Sequence, residues 1–495
     1  MSQYLAVLKA KDNRTEEVES VLRTPDATTL VIDLDGSLVQ TDMLYESFFA
    51  TLANGFGHYL SMLLALRRGK AHLKAYLADA GPLDCELLPY NDAVLEFARI
   101  AKAEGRSVYL ATASDQRHAD AIAEHLGIFD GVFASDGATN LAGEAKARRL
   151  VGAFGEAGFD YIGNSNADIA VWAHARKAYV VGATPSLLRK TASLGGTAEL
   201  IHAPRASLGT WVKALRVHQY VKNTLVFVPL LTAHAFAPHF ALNAALAFIA
   251  FSLCASSVYL LNDLVDLDAD RRHPTKRKRP LASGAIPLAH AAFAIPLLFF
   301  LAFSFASLVS LKFAGTLAAY FALTLAYSLS LKRKLLVDVV VLAMLYTTRV
   351  IAGAVALPVV PSEWLLAFSM LVFTCLALIK RYVELALRID KRLPDPSNRN
   401  YRLFDLPIVG ALAAASCVNA VTVFALYVSS SAVQNIYRYP QALWLICPIL
   451  LYWLGRAVIL AHRRAIDDDP IVFALRDRNS YLCGGLMILI VLCAI

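Results

Sequence analysis

Nine apolar stretches of about membrane-spanning length dominate the second half of this 495-residue chain. They run approximately over residues 218–233, 239–262, 286–308, 311–328, 336–355, 363–384, 405–429, 441–462 and 480–495. About 20 helical residues cross the hydrocarbon layer, and a helix satisfies its own backbone polar groups there. The pattern predicts an all-α polytopic membrane bundle of about nine transmembrane helices over residues 206–495.

The composition agrees with a membrane protein and argues against nucleic acid as a partner. Hydrophobic residues make up 57% of the chain and charged residues only 17%, below the roughly 25% of soluble domains. The net charge of +8 arises mainly in short segments between apolar stretches rather than on one soluble face. Seven scattered cysteines form no C-x-x-C pair, so neither a disulfide framework nor a zinc site is predicted.

Lys and Arg are distributed unevenly between the loops of the predicted bundle. Twenty lie at or after the second, fourth, sixth and eighth stretches, whereas the intervening loops hold only Lys312 and Arg438. Because cytoplasmic loops are enriched in these residues, the even-numbered loops should face the cytoplasm. Met1 to Arg14 contains no apolar core long enough for a signal peptide. We therefore expect a multi-pass inner-membrane protein with a cytoplasmic N-terminal domain.

An acidic string, Asn262 to Asp270, ends the second stretch and leads into the basic segment Arg271 to Pro280. If one helix continues through the string, Asn262, Asp266 and Asp270 share a face, with Asp263 beside them. Like charges at this spacing repel, so the stripe requires a cation. Oxygen ligands favour Mg²⁺, which proteins usually hold together with substrate phosphates. The predicted ligand is a magnesium-bound diphosphate.

The string N-D-x-x-D-x-x-x-D, followed by R-P-L-A-S-G, resembles the first aspartate motif of the UbiA-type prenyltransferase superfamily. The resemblance implies that Asn262, Asp263, Asp266 and Asp270 hold Mg²⁺. A second D-x-x-x-D motif would follow the loop of residues 327–332. Only Asp338 is present there, with Leu342 four residues later, which argues against an ordinary aromatic prenyltransferase.

Three segments, residues 216–223, 270–280 and 474–478, look instead like the phosphoribosyltransferase members of that superfamily. This resemblance implies phosphoribosyl diphosphate as the donor and a polyprenyl phosphate lipid as the acceptor. Basic side chains near the acidic string could complement the phosphates. The candidate substrate-binding residues are Lys222, Asn223, Lys276, Arg279, Lys332 and Asp338. Arg349 lies inside an apolar stretch and should face the interior of the bundle.

Residues 1–205 have the pattern of a soluble α/β domain. Short β-rich runs at 29–35, 107–111, 131–134, 161–163 and 178–181 alternate with helical stretches. Such alternation predicts a Rossmann-like parallel sheet with helices on both faces and ligands at the carboxyl ends of its strands. A stretch of small and polar residues, about Thr184 to Ser207, is predicted to connect this domain to the membrane.

Two aspartates, Asp33 and Asp35, leave the first β-rich run and enter a glycine turn. One carboxylate could attack phosphorus while the other moves a proton. With Thr112, Lys146 and the segment Gly163 to Asp168, they resemble the haloacid dehalogenase-like hydrolases over about residues 28–185, with a small helical cap between Asp42 and Leu88. The resemblance implies Asp33 as nucleophile, Asp35 as general acid/base, Thr112 and Lys146 as phosphate ligands, and Asp33, Asp35 and Asp168 at a Mg²⁺ site.

One residue departs from that family's phosphatases: Asn164 stands where they usually carry an acidic side chain. A missing negative charge should weaken magnesium binding. The first domain could therefore be an active phosphatase, or one that only binds a phosphorylated ligand or acts as a scaffold.

Three functions remain open for the whole chain. The first is transfer of phosphoribose to a polyprenyl phosphate, with a fused phosphatase that could remove the 5-phosphate of the product. The second is transfer of a prenyl group from a prenyl diphosphate to an aromatic acceptor, and the third is a non-enzymatic membrane scaffold. The absent carboxylate at Leu342 favours the first over the second, and the intact acidic string disfavours the third.

The charge asymmetry predicts the orientation of the bundle in the membrane. A reporter fused after Pro361 should be extracytoplasmic and one fused after Pro394 cytoplasmic, because basic residues cluster only on the latter side. Thiol labelling or protease access in intact cells measures this. The reverse pattern of access would contradict the orientation.

Overall fold

The computed structural model describes residues 28–53, 59–81, 83–136, 139–182, 184–194, 198–201, 206–396, 399–434, 436–466, 470–474 and 476–495. Three segments that belong to predicted regions lie outside these residues. They are Met1 to Arg14, within the predicted N-terminal domain, and Gly195 to Thr197 and Ala203 to Arg205, within the predicted connection. The chain divides into two compact units. The first comprises the residues up to Ala214 together with Asp263–Ala292, and the second comprises Leu215–Asn262 with Phe293–Ile495.

Six parallel strands form the sheet of the first unit, in the order β3-β2-β1-β4-β5-β6. Side chains of β1 show how both faces are covered. Leu30 and Ile32 join one apolar cluster with Val94, whereas Val31 joins another with Ala147. Successive strand residues point to opposite faces, so helices pack on both. The predicted parallel sheet is confirmed. The strands are β1 (Thr29–Ile32), β2 (Val108–Asp115), β3 (Gly131–Ser135), β4 (Phe159–Gly163), β5 (Lys177–Val181) and β6 (Ala198–Ile201).

Within the described residues up to Ala214, nine α-helices accompany the strands. Helices α1 to α3 occupy the region for which a small helical cap is predicted, between Asp42 and Leu88. The helices are α1 (Met43–Ala53), α2 (Tyr59–Arg67), α3 (Lys70–Ala80), α4 (Asp92–Ala103), α5 (Gln116–Leu126), α6 (Glu144–Phe154), α7 (Ile169–Trp172), α8 (Pro185–Ala192) and α9 (Leu208–Ala214).

The stretch predicted as a connection, Thr184 to Ser207, instead contributes structure to the sheet domain. It contains α8 and the edge strand β6, which pairs in parallel with β5. The Thr184 side chain accepts a hydrogen bond from the Leu187 N–H and Pro185 occupies the first turn. A threonine cap followed by proline is a helix-start signal, so the small and polar composition was misleading here.

The remaining helices follow a 3₁₀ helix at Val217–Phe227. They are α10 (Val228–Thr232), α11 (Pro238–Val265), α12 (Leu267–Arg272), α13 (Leu288–Val309), α14 (Leu311–Leu329), α15 (Val337–Ala356), α16 (Glu363–Asp390), α17 (Leu406–Ser429), α18 (Ser431–Gln434), α19 (Ile446–His462), α20 (Pro470–Ala474) and α21 (Arg478–Ala494). All but α12 lie wholly or largely in the second unit.

Within the described residues, six helices are long and apolar enough to cross a membrane, so the predicted count of nine is not confirmed. They are Pro238–Val265, Leu288–Val309, Val337–Ala356, Glu363–Asp390, Leu403–Ser429 and Pro440–His462. The stretch 218–233 divides into the 3₁₀ helix and α10, where Pro229 begins a new helix. Helix α21 has 17 residues, about 26 Å at 1.5 Å per residue, which is short of the roughly 30 Å hydrocarbon layer.

Arg349 of α15 is buried in the second unit, as predicted for a charge within an apolar stretch. It donates to Asn223 Oδ1 at 2.8 Å, to the Leu345 carbonyl at 2.6 Å and to the Tyr320 hydroxyl at 2.8 Å. Its guanidinium also lies over the ring of Tyr346. These contacts compensate the cost of removing the charge from water.

A buried ion pair joins α15 to α16. Asp338 is fully buried, and its carboxylate lies 2.8 Å from Arg381 Nε. The other carboxylate oxygen accepts a hydrogen bond from Tyr401 at 2.7 Å. Arg381 and Arg399 both pair with Glu384. Removing one partner of such a pair would leave an uncompensated buried charge, so the network fixes these helices relative to one another.

Candidate functional sites

Asp33 follows β1 directly and is almost fully buried. Its backbone N–H donates to the Ile162 carbonyl at 2.9 Å, which continues the pairing of β1 with β4. One carboxylate oxygen lies 2.7 Å from Lys146 Nζ and the other accepts from Ser37 Oγ at 3.2 Å. The structure therefore brings together Asp33 and Lys146, as the sequence predicts, at the carboxyl end of the central strand.

Asp35 faces the end of the neighbouring strand β2. Its carboxylate accepts hydrogen bonds from Ser114 Oγ at 2.7 Å and from Thr112 Oγ1 at 3.2 Å. The Met43 N–H, at the start of α1, donates to its other oxygen at 2.7 Å. Thr112 was predicted at this site, whereas Ser114 was missed, although a hydroxyl two residues further along the same strand points to the same side.

Asp168 organises the turn that follows β4. One of its oxygens accepts from the N–H groups of Asn164 and Ser165 and from Ser165 Oγ, at 2.9 to 3.1 Å. The other accepts from the Tyr161 hydroxyl at 2.9 Å, and that hydroxyl lies 3.0 Å from Lys146 Nζ. Tyr161 thus links the predicted residues Lys146 and Asp168. Nothing in the sequence pattern indicated this role of Tyr161 beyond its place in a β-rich run.

Burial sets the electrostatics around Asp33. It raises the pKa of Asp33 to about 7; the Lys146 ammonium opposes this shift, and the charges of Asp168 and Asp35 add to it. Burial alone would lower the pKa of Lys146, but the neighbouring carboxylates, Asp33 foremost, outweigh it and raise that pKa. A cluster of acidic groups with one lysine holds excess negative charge, which a bound cation would relieve.

The donors around this site fit a hard cation in type. Asp33, Asp35 and Asn164 offer oxygen atoms, the ligands that Mg²⁺ prefers. Asn164 lies against the turn at Gly36, where φ is +76° and an added Cβ would stand 2.1 Å from its amide nitrogen. Only glycine fits there. Among the described residues, however, no three His, Cys, Asp or Glu side chains are gathered as a ready metal cluster.

The predicted acidic stripe is interrupted in the structure. Helix α11 ends at Val265, and Asp266 has φ −92° and ψ 17° before α12 begins at Leu267. The single continuous helix expected through Asn262 to Asp270 is therefore wrong. Leu264 and Leu267, which lie on either side of the break, are both buried.

Asp263 and Asp270 nevertheless meet, because both pair with Arg279. One guanidinium nitrogen of Arg279 lies 3.1 Å from Asp263 and 2.5 Å from Asp270, and Lys276 Nζ lies 4.0 Å from Asp270. The two carboxylates are only 5% and 3% exposed, whereas the Arg279 side chain is 31% exposed. Two oxygens that converge on one cationic nitrogen are also a donor set that fits Mg²⁺. We call Asp263, Asp270, Lys276 and Arg279 the aspartate cluster.

The predicted metal ligand Asn262 and the other predicted substrate-binding residues belong to the second unit. Asn262 donates from its amide to Ser328 Oγ at 3.1 Å. Lys222 lies 5.9 Å from the centre of the Tyr346 ring, and Lys332 lies in the 3₁₀ turn Leu331–Arg333. Asn223 is buried and donates to Ser252 Oγ at 3.0 Å while accepting from Arg349.

Two of these residues are engaged in the protein interior rather than open to a ligand. Asn223 is bound by Arg349, and Asp338 is fully buried against Arg381 and Tyr401. Their observed contacts favour a structural role over direct contact with a substrate. The sequence could not distinguish the two roles, since a polar residue near a helix end serves either.

Sequence comparison relates the chain to known proteins. An uncharacterized protein, y4nM, of Sinorhizobium fredii is 36% identical over 461 residues, which cover 92% of this chain and 89% of that protein. Decaprenyl-phosphate phosphoribosyltransferase of Mycobacterium tuberculosis is 36% identical over 195 residues, 38% of this chain and 65% of that enzyme. The match thus spans slightly less than two thirds of the enzyme's length.

Comparison of folds finds one group of solved structures for each half. A UbiA homolog from Archaeoglobus fulgidus, bound to GPP and Mg²⁺, is similar over 57% of this chain and 96% of its own, with 14% identity and a TM-score of 0.43. A HAD family hydrolase from Salmonella enterica serovar Typhi is similar over 35% of this chain and 66% of its own, with 13% identity and a TM-score of 0.27.

The family assignment rests on the sequence matches. Residues 224–479, more than half of the chain, match the profile of the UbiA prenyltransferase family. This match confirms the resemblance inferred from the acidic string, and the matched residues contain that string entirely. The chain belongs to the UbiA prenyltransferase family.

Proposed function

We propose that this protein transfers phosphoribose from phosphoribosyl diphosphate to a polyprenyl phosphate, and that its first domain removes the 5-phosphate of the product. The two activities would reside in residues 206–495 and 1–205 of an inner-membrane protein with a cytoplasmic N-terminal domain. The convergence of two buried carboxylates on Arg279 carries the proposal, because the two converging oxygens are a donor set that would suit a cation bound to a diphosphate. The similarity to decaprenyl-phosphate phosphoribosyltransferase supports the choice of donor.

In the transfer reaction, a phosphate oxygen of the lipid attacks the anomeric carbon as the bond from that carbon to the diphosphate oxygen breaks. Mg²⁺, held by Asn262, Asp263, Asp266 and Asp270, would supply positive charge to the departing diphosphate. Lys276 and Arg279 add charge-assisted hydrogen bonds to the same group. Lys222 and Lys332 are proposed as further phosphate-binding residues, whereas Asn223, buried against Arg349, has a structural role.

A second candidate is transfer of a prenyl group to an aromatic acceptor. The solved UbiA homolog bound to GPP and Mg²⁺ favours it. Against it, Leu342 stands where a second acidic motif would need a carboxylate, and Asp338 is occupied by Arg381. With only one acidic cluster in the described residues that is placed to hold a diphosphate, phosphoribosyl transfer is the function that we propose.

In the phosphatase reaction, the Asp33 carboxylate attacks phosphorus and the sugar hydroxyl leaves with a proton from Asp35. Water then hydrolyses the aspartyl phosphate, with Asp35 taking the proton. Lys146, 2.7 Å from Asp33, and the hydroxyl of Thr112 would hold the phosphate oxygens. Asp168 would maintain the turn beside the Mg²⁺ site. The final lipid would be polyprenyl-phosphoryl ribose.

The transferase proposal predicts that Asp266→Asn lowers transfer by roughly two orders of magnitude, a loss typical when one electrostatic group is removed from an active site. Membranes receive labelled phosphoribosyl diphosphate and polyprenyl phosphate, beside a parallel reaction with prenyl diphosphate and 4-hydroxybenzoate. Asp268→Asn, in the same string but outside the proposed ligands, serves as the control. Label in the lipid phase only in the second reaction would refute the phosphoribosyl assignment.

The phosphatase proposal predicts that Asp33→Asn leaves transfer intact and causes the phosphorylated lipid to accumulate. The nucleophile is lost while the aspartate cluster keeps all its side chains. Thin-layer separation of labelled lipids from wild type and variant measures the ratio of the two products. Equal profiles, with the 5-phosphate retained in both, would show that the first domain does not act on this lipid.

A third prediction concerns the residue that departs from the phosphatase pattern. Asn164→Asp should tighten Mg²⁺ binding to the first domain, by about tenfold if one pKa-sized interaction of 1.4 kcal/mol is gained. The Mg²⁺ concentration for half-maximal removal of the 5-phosphate measures it. Asn166→Asp is the matched control, since Asn166 lies in the same turn but contacts Lys190 instead. Equal Mg²⁺ dependence in both variants would exclude Asn164 from the site.

A further inference from the structure

A buried ion pair within the first unit joins two segments that are 225 residues apart in sequence. Arg271 donates to both carboxylate oxygens of Glu46, at 3.0 and 2.6 Å, and its Nε donates to the Ala282 carbonyl at 3.0 Å. The side chains of Arg271 and Glu46 are 4% and 1% exposed. A bidentate pair this deeply buried is highly directional, and losing either partner leaves a charge without compensation.

Each partner is attached to one of the two candidate sites. Glu46 lies in the first turn of α1, whose first residue, Met43, donates to Asp35. Arg271 directly follows Asp270, a member of the aspartate cluster, in α12. The pair therefore connects a helix that starts at the phosphatase-like site with the segment that carries the proposed metal ligands.

The same contacts hold the far end of that segment. Arg271 Nε binds the carbonyl of Ala282, which closes the chain between them into a loop that contains Arg279. Gly284, with φ +73°, approaches Gln40 and Pro89 so closely that an added Cβ would stand 2.8 Å from Gln40 Cβ. The segment 266–284 is thus packed against the first domain at both ends.

Helix α12 has only six residues, far fewer than the roughly 12 to 15 needed for even marginal stability in isolation. Its position must come from tertiary contacts. The buried guanidinium of Arg271, one residue away from Asp270, provides one of these contacts. It acts together with the Asp266 carbonyl, which accepts from the Asp270 N–H at 2.8 Å, and with the pairing of Asp270 to Arg279.

We infer that Glu46 and Arg271 are positioning residues, through which the phosphatase-like domain holds the aspartate cluster in its assembled conformation. The first domain is then a structural part of the transfer site, whether or not it hydrolyses a phosphate. The expected effect of this pair on transfer rests on the proposed transfer function. The conformational effect can be measured without any activity.

A second ion pair of α12 supplies a matched control. Arg272 lies 3.0 Å from Asp84, but these side chains are 65% and 36% exposed. Exposed pairs of this kind contribute little because water and salt screen them. Asp84→Asn therefore removes a carboxylate that pairs with the neighbouring residue of α12 without removing the buried pair.

Hydrogen exchange of the full-length protein in detergent, followed by mass spectrometry, tests the conformational effect. Glu46→Gln should speed exchange of peptides covering residues 266–284 by about tenfold or more, because opening of the segment no longer breaks the buried pair. Peptides from β1 and β4 should keep their wild-type exchange, and Asp84→Asn should change neither region. Equal exchange of 266–284 in wild type and Glu46→Gln would overturn the inference.

If Glu46→Gln also speeds hydrogen exchange in β1 and β4, the Arg271→Lys variant provides the deciding measurement. It keeps the charge but loses the second donor and the bond to Ala282. Faster exchange confined to 266–284 supports the inference, and unchanged exchange there overturns it.

Transfer assays measure a further quantity, the Mg²⁺ requirement, which would not change in the variant if the ion pair had a purely structural role. Glu46→Gln should raise the Mg²⁺ concentration for half-maximal transfer about tenfold, with a smaller effect at saturating Mg²⁺, because loosened ligands bind the cation less well. Asp84→Asn should match wild type. An unchanged Mg²⁺ requirement beside faster exchange would overturn the positioning role. If wild type transfers neither substrate, the proposed function fails, and the exchange experiment still decides whether the pair holds the segment.

Discussion

Pairing of buried carboxylates with cationic side chains is the constraint on which both units depend. A carboxylate removed from water is costly unless a cation and hydrogen bonds compensate it. In most cases the partner comes from a distant part of the chain, so that satisfying the charge also fixes the relative position of two elements. The pairs are Asp33 with Lys146, Glu46 with Arg271, Asp160 with Arg106, Asp263 and Asp270 with Arg279, and Asp338 with Arg381.

The sequence predicted the parallel sheet and the residues at its carboxyl edge because both depend on local patterns. Asp33 and Thr112 each end a β-rich run, and parallel strands bring such ends together. Ser114 and Tyr161 were missed because their roles depend on contacts with Asp35 and Lys146, which belong to other parts of the chain. Local spacing in the sequence does not reveal such contacts. Strand β6 was missed for another reason: it has only four residues, Ala198–Ile201, and the small and polar residues around it in the sequence resemble those of a linker.

The membrane half shows where hydrophobic patterns stop being informative. They located the long helices, and the cost of a charge in lipid correctly placed Arg349 in the interior. They did not reveal that α11 ends at Val265, since no glycine or proline marks the break. The aspartates expected on one continuous face meet instead through Arg279, and Asn223 faces Arg349 rather than solvent.

The same Lys and Arg residues enter two different arguments. One counts them to predict orientation in the membrane, and the other depends on which carboxylate each of them pairs with. Arg271 and Arg279 enter the count of basic residues that predicts orientation, yet the structure pairs both with carboxylates. The same holds for five other counted residues, Arg272, Lys276, Arg381, Arg399 and Arg464. Leaving these seven out reduces the asymmetry from twenty against two to thirteen against two. The orientation argument survives because Lys and Arg count in it regardless of neighbouring acidic residues. The site argument does not follow from the count, because only the three-dimensional partner distinguishes a basic residue that anchors a loop from one that positions a metal ligand.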